Sequence, residues 1–228
     1  MPGAFMIRRD FILRMIEEFA RVMNRVDSLK KNHRWEEAGD ALDAGFNKLA
    51  GAGAEEVAKL SEIELLARVM EDGPTHGVRE KTLILAALLN EAGEVAVAQG
   101  RLEAGRECHL KALHLLLEIL GGQDVFECPE FVPTVEAVVI ALQDGPLPPL
   151  TAARLMQHYE RTGEFGKAED MLHTLREADP GAEEMREFGV QFYRRLLERS
   201  DEELVAGNLP RAEVEEGLGE LHGRKRKK

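Results

Sequence analysis

A chain of 228 residues with 44% hydrophobic composition is long enough to bury a sizeable core, and a formal net charge of -12 argues against strong nucleic-acid binding, which depends on neutralising phosphates with lysine and arginine. No run approaches eighteen uninterrupted apolar residues and no charged start leads into an apolar block, so no stable membrane association and no secretory signal is expected, and the address is cytoplasmic. The two cysteines, Cys108 and Cys128, make neither a disulfide framework nor a metal-binding spacing and read as reduced core thiols.

Aromatic residues are 5% of the chain, alternating β-branched runs are missing, and Ala, Leu, Glu, Arg and Lys dominate; the expectation is an all-α fold of about ten helices. From about Met6 to Lys31, Ile12, Met15, Ile16, Phe19, Val22, Met23, Val26 and Leu29 recur at steps of three and four, one apolar stripe on a helix. A second helix runs from Trp35 to about Ala50 and ends at Gly51 and Gly53. A third covers Glu55 to Met70, before a turn at Asp72-Gly73-Pro74. Val78 to Ala98 and Leu102 to Leu120 form a long hairpin through Gln99-Gly100-Arg101. Gly121 to Pro133 reads as a loop pinned by Val125, Phe126 and Phe131. Helices follow at Thr134 to Leu142, Leu150 to Arg161 and Phe165 to Ala178, and a last pair, Ala182 to about Ala206 and Pro210 to Leu221, turns at Gly207-Asn208-Leu209. The proline-rich spacer 145–149 separates N-terminal hairpins over 1–144 from C-terminal hairpins over 150–221, and 222–228 is a basic, disordered tail.

The hairpins share a frame. Tyr159 stands four residues before a turn at Gly163, Phe165 opens the next helix, Ala168 is the small residue five after the turn, Leu172 follows four later, and Pro180 closes the unit. This order, over 150–180, resembles a tetratricopeptide repeat, although Ala152 and Met156 replace its preferred tryptophan and glycine. The same frame over 86–120 puts Gly100 at the turn, Gly93 and Gly105 in small slots, Ala112 on the second helix and Leu117 where the proline would stand. A glycine inside a helix costs about 1 kcal/mol relative to alanine, so Gly93 and Gly105 imply a close backbone approach. Weaker echoes surround His33 and Gly207. The turns at 33, 100, 163 and 207 are spaced by 67, 63 and 44 residues, whereas a regular array repeats every 34 or so, and the resemblance is therefore to a degenerate, TPR-like array of antiparallel helix hairpins forming an α-α superhelix. The opening helix, IRRDFILRMIEEFARVMNRV, resembles that of an uncharacterised bacterial family of TPR-like proteins with no known activity.

Catalytic constellations are missing from the sequence. There is no G-x-x-x-x-G-K-[ST], no H-E-x-x-H, and no strand leading into a glycine cluster. His109 and His114 lie about 140° apart around a helix, poorly placed to share a metal, and His158 and His173 read as ordinary helix histidines. No metal and no cofactor is expected. The acidic runs read as solvated helix faces, and the stripe of the first helix reads as core packing, its acids being unfavourable against an anionic membrane.

Stacked hairpins bury their shared faces and leave a concave surface, so the expected function is a non-enzymatic protein-interaction scaffold that takes a peptide or helix in a groove. In TPR-like hairpins the first helix of each pair lines that groove, which nominates Asn90, Glu94, Gln157, Glu160 and Arg161 as partner-binding residues. Two alternatives stand beside this. One is a homodimer through the first helix, and the other is a small-molecule binder or enzyme using the 121–133 loop as a lid near Cys128 and His109.

Overall fold

The computed structural model describes residues 2–71, 77–122, 126–179 and 182–223, and among them every regular element is an α-helix. Twelve helices follow in chain order: α1 (Pro2–Lys31), α2 (Trp35–Ala50), α3 (Ala54–Lys59), α4 (Glu62–Glu71), α5 (Val78–Ala98), α6 (Leu102–Leu120), α7 (Val135–Ala141), α8 (Pro149–Thr162), α9 (Phe165–Ala178), α10 (Glu183–Leu197), α11 (Asp201–Ala206) and α12 (Arg211–Leu221). They fall into two compact units, Met1–Gly145 and Pro146–Lys228. The Asp72-Gly73-Pro74 turn, Val125, the closing Pro180 and the basic residues 224–228 lie outside the described residues.

The first unit is built round α5. Nine consecutive residues, Thr82 to Asn90, are buried, so this helix is covered on every side, by α1, α2, α4 and α6, and is not amphipathic in the surface sense. The apolar stripe of α1 divides. Phe19, Met23, Val26 and Leu29 are buried, Ile12, Met15 and Ile16 are half-buried, and Phe11 and Leu13 are exposed. The last turn of α1 is tied to α5 by Lys30 Nζ, which donates to Glu91 Oε2 at 2.6 Å and Glu94 Oε2 at 2.5 Å. Burial opposes the Lys30 ammonium, but the two carboxylates outweigh it and its pKa is raised, while burial pushes the Glu91 carboxyl up in spite of Lys30.

Three hairpin turns share one conformation. His33, Gly100 and Gly163 are left-handed, with φ of 54°, 76° and 81°, and the residues after them, Arg34, Arg101 and Glu164, have φ of -91°, -89° and -91° with ψ of 64°, 64° and 63°. Each turn residue donates its N–H three residues back, and the next residue donates five back, to the carbonyls of Leu29, Ala96 and Tyr159, closing the helix end with a Schellman pair. Gly207 corrects the expected fourth turn. The left-handed residue there is Asn208, with φ of 58°. His33 carries a Cβ in a conformation that costs about 1–2 kcal/mol, and glycine's extra chain entropy costs up to about 1 kcal/mol, so His33→Gly is expected to stabilise the first unit by about 0.5 kcal/mol. The check is a raised urea midpoint at unchanged slope.

Two expected helices are each broken in two, which makes twelve where about ten were expected. The expected helix from Glu55 to Met70 is α3 and α4, and that from Ala182 to Ala206 is α10 and α11. Both breaks are capping boxes of the form S-x-x-E. Ser61 Oγ accepts from the Glu64 N–H at 3.3 Å and Glu64 Oε2 accepts from the Ser61 N–H at 2.8 Å; at Ser200 and Glu203 the same pair measures 3.2 and 2.9 Å. Each box satisfies two backbone donors that a continuous helix would not have left open. Ser200→Ala is expected to cost the second unit about 1 kcal/mol, read as a lowered midpoint in far-ultraviolet circular dichroism.

In the second unit α8 and α9 form a hairpin, α10 packs on α9 and α12, and α11 meets α12. Its centre holds Leu155, Phe165, Leu172, Val190, Phe192, Tyr193, Leu204 and Val214. The Tyr193 hydroxyl donates to Glu169 Oε1 at 2.6 Å, and burial raises the pKa of both groups. The turns at Gly163 and Asn208 abut: Gly166 N–H donates to the Gly207 carbonyl at 2.9 Å, and a Cβ on Gly207 would overlap the Phe165 ring and the Gly163 carbonyl.

Candidate functional site

A cleft of 1170 Å³ lies in the first unit, walled by α2, the α3–α4 segment, α5 and α6. It exists because the residues that would fill it are small. Gly39 lines it from α2, Ala54 and Ala58 from α3, Ala92 and Ala96 from α5, and Ala104 from α6, each pair four residues apart and so on one helix face. Leu42, Val95 and Cys108 complete an apolar floor. Burial pushes the Cys108 thiol up, so it presents a neutral S–H.

Gly39 is informative because nothing in the packing requires it. It lies inside α2 at an ordinary helical φ, and a Cβ there would meet no atom within 4 Å. Its cost of about 1 kcal/mol in helix propensity is thus offset by no close contact, and its effect is to leave the cleft clear. Gly93 and Gly105 are the contrasting case. At Gly105 a Cβ would stand 2.6 Å from Val97 Cγ2 and 2.9 Å from the Gly93 carbonyl oxygen, so these two glycines are where α5 and α6 meet backbone to backbone.

The rim is charged and internally braced. His114 Nδ1 lies 2.7 Å from Glu62 Oε1, and Lys111 Nζ donates to the Ala58 carbonyl, which ties α6 to α3 and α4. Burial works against the Glu62 carboxylate, but His114, a backbone N–H and Lys111 prevail and hold its pKa below the usual value. Asp43 Oδ1 on α2 accepts from the Ala54 N–H at 2.8 Å and so caps α3. Lys59 pairs with Glu55 at 2.8 Å. Asp40 and Glu107 are exposed at the rim.

None of the five residues nominated from the sequence is among those lining this cleft. Asn90 is only 7% exposed and its side-chain amide donates to Glu94 Oε1 at 3.3 Å; Glu94 also holds Lys30. In the second unit, Gln157 is exposed, Glu160 accepts from Arg195 at 2.6 and 2.8 Å, and Arg161 lies 3.4 Å from His158 Nδ1. The repeat positions Gly93, Gly105 and Ala112 are buried in the first unit, and Tyr159, Phe165 and Ala168 in the second. Gly39, Ala92 and Ala104 were missed, and their signal was faint: an unexplained glycine inside a helix and alanines at four-residue spacing.

His109 has an unusual place. Nine residues after the turns at His33, Gly100 and Gly163 stand Leu42, His109 and Leu172, all buried, so a histidine fills a slot that is leucine in the other two hairpins. Seven residues before the same turns stand Val26, Gly93 and Met156, and a Cβ on Gly93 would overlap the His109 ring. Neither ring nitrogen meets hydrogen-bond geometry with a partner, and the Asn90 carbonyl is the acceptor a protonated ring would face. Burial lowers the pKa of His109. Of the two cysteines expected in the core, Cys108 is buried but Cys128 is exposed, because it lies in the loop, where Phe126, with Arg79 4.8 Å above its ring, and the half-buried Phe131 anchor the chain instead.

Among the described residues no group of three or more His, Cys, Asp or Glu side chains could hold a metal ion, and no helix is long and apolar enough to cross a membrane. A family model described as a family of unknown function, DUF6483, matches residues 6–226. Comparison with curated proteins and with solved structures returns no match.

Proposed function

We propose that this chain, which belongs to the DUF6483 family, is a non-enzymatic protein-interaction module of TPR-like hairpins whose binding site is the first-unit cleft. The observation that carries the reading is Gly39, a helix-interior glycine with open space before it at the mouth of an apolar-floored cleft. The TPR-like description is supported by the three turns of identical backbone conformation and by small residues, Ala38, Gly105 and Ala168, five positions after each. At 1170 Å³ the cleft exceeds the roughly 300–1,000 Å³ of ordinary small-molecule pockets, and its floor of alanine, leucine and valine suits the apolar face of a peptide or helix.

The test uses the freedom at Gly39. Gly39→Trp fills the cleft without meeting an atom at Cβ, and Gly39→Ala leaves most of it open. Quantitative affinity purification from native cells is expected to recover a defined partner with wild type and Gly39→Ala and to lose it with Gly39→Trp. Equal recovery by all three would remove the cleft from the account.

A second reading, a homodimer through α1, is favoured by the 54% exposure of Phe11, four residues before Met15 and so on the face of its stripe. Sedimentation at micromolar concentration tests it. A dimer dissociated by Phe11→Glu supports the reading, and a wild-type monomer ends it.

A further inference from the structure

We infer that the occupant of the cleft is a basic amphipathic segment, an apolar face flanked by lysine or arginine. This rests on the cleft being the binding site and adds the chemistry of the partner. The described lining residues include six carboxylates, Asp40, Asp43, Glu55, Glu62, Glu64 and Glu107, against three permanent cations, Lys59, Arg101 and Lys111. The cations do not cancel them: six against three leaves an excess of three negative charges. Lys59 holds Glu55, Arg101 donates to Gln99 at 2.6 Å, and Lys111 donates to the Ala58 carbonyl.

Asp43 and Glu64 accept from backbone N–H and neutral side-chain groups, which hold the oxygens in place without neutralising them, although Arg68 and Lys111 attract Glu64 from nearby. Glu64 is further stabilised in its charged form by those Ser61 hydrogen bonds, which lower its pKa. Asp40 on α2 and Glu107 on α6 stand exposed at the rim. An apolar floor beside negative walls, Asp40 and Asp43 on α2 and Glu55, Glu62 and Glu64 against Lys59 on α3–α4, is complementary to a helix or strand whose apolar face enters while its cations reach those walls; α6 sets Glu107 against Arg101 and Lys111. An acidic segment would meet repulsion from the α2 and α3–α4 walls, so the same charges disfavour it.

The probes are two fluorescein-labelled peptides of roughly 18 residues, long enough for helix formation, one of Leu, Ala and Lys and the other with every Lys replaced by Glu. Anisotropy is expected to show the Lys peptide binding, the Glu peptide binding at least about tenfold more weakly, and the difference shrinking with added salt. Asp40→Lys combined with Glu107→Lys is expected to weaken the Lys peptide about tenfold. Glu17→Lys with Glu118→Lys, exposed positions outside the cleft and identical in net charge change, is expected to change binding less than about twofold. Equal binding of both peptides, or equal weakening by the two reversals, overturns the charge inference; if binding is still lost with Gly39→Trp, the cleft itself stands. Binding of neither peptide, or binding that Gly39→Trp does not affect, overturns the inference and the cleft reading together.

Discussion

Gly105→Ala is expected to destabilise the first unit by about 3 kcal/mol, at the upper end of ordinary overpacking. The added Cβ meets Val97 Cγ2 at 2.6 Å, which a rotamer change could relieve, but also the Gly93 carbonyl oxygen at 2.9 Å and the Val97 backbone nitrogen at 3.3 Å, which no rotamer can. Relief requires α6 to move away from α5, and α5 is buried on every side from Thr82 to Asn90, so the shift is paid across the whole helix pair. Gly39→Ala makes the informative contrast. It is the same substitution inside a helix, but with no atom within 4 Å it is expected to stabilise by about 0.8–1 kcal/mol. The chain's one tryptophan, Trp35, lies in the first unit, so urea unfolding followed by its fluorescence reads that unit's midpoint directly. Midpoints that move in the same direction for both variants would contradict the distinction between a packing glycine and a clearance glycine.

His109→Leu is expected to raise the stability of the first unit by about 1–2 kcal/mol at neutral pH, because it replaces an unpartnered buried ring with the residue the other two hairpins carry in that slot. It also removes a pH dependence. Burial holds the folded-state pKa of His109 below its ordinary value of 6.5, so above about that pH both states are neutral and the group adds no slope. As pH falls through it the unfolded chain takes up a proton that the folded ring refuses, and stability is lost until the folded pKa is reached. Glu91, also in the first unit, acts in the opposite sense: its raised pKa means the folded carboxyl holds its proton longer, which favours the fold as pH falls toward the acid range. The difference between wild type and His109→Leu cancels Glu91, which both contain. That difference is expected to widen from pH 7.5 to pH 5 in urea titrations, and a constant difference would show that His109 does not stay neutral in the fold.

The parts of the fold that were legible in the sequence are those set by local chemistry. The turns at His33, Gly100 and Gly163 were placed by their small residues and by the apolar steps on either side, and the structure gives all three one backbone conformation. The breaks before Glu62 and Asp201 are equally local, as S-x-x-E boxes, but apolar periodicity continues through them and so reads as unbroken helix. Asn90 was nominated for a groove because it is polar on a first helix. It is buried because α5 is covered all round, and periodicity cannot show that when the run from Leu83 to Leu89 is wholly apolar. The cleft was not legible at all. Its walls come from residues 39 to 114, separated by up to 75 positions, and depend on which helices pack together; the traces are Gly39, a cost in helix propensity without a local reason, and alanines at four-residue spacing.

The cleft as the binding site is tested most directly by placing a photo-crosslinking amino acid at Glu107, on the rim, and at Glu118, eleven residues along the same helix and outside the cleft, in native cells. The expected result is a discrete protein adduct from position 107 that is missing from position 118 and is lost when Gly39→Trp fills the cleft. The same adducts from both positions, or an adduct at 107 that survives Gly39→Trp, would contradict it.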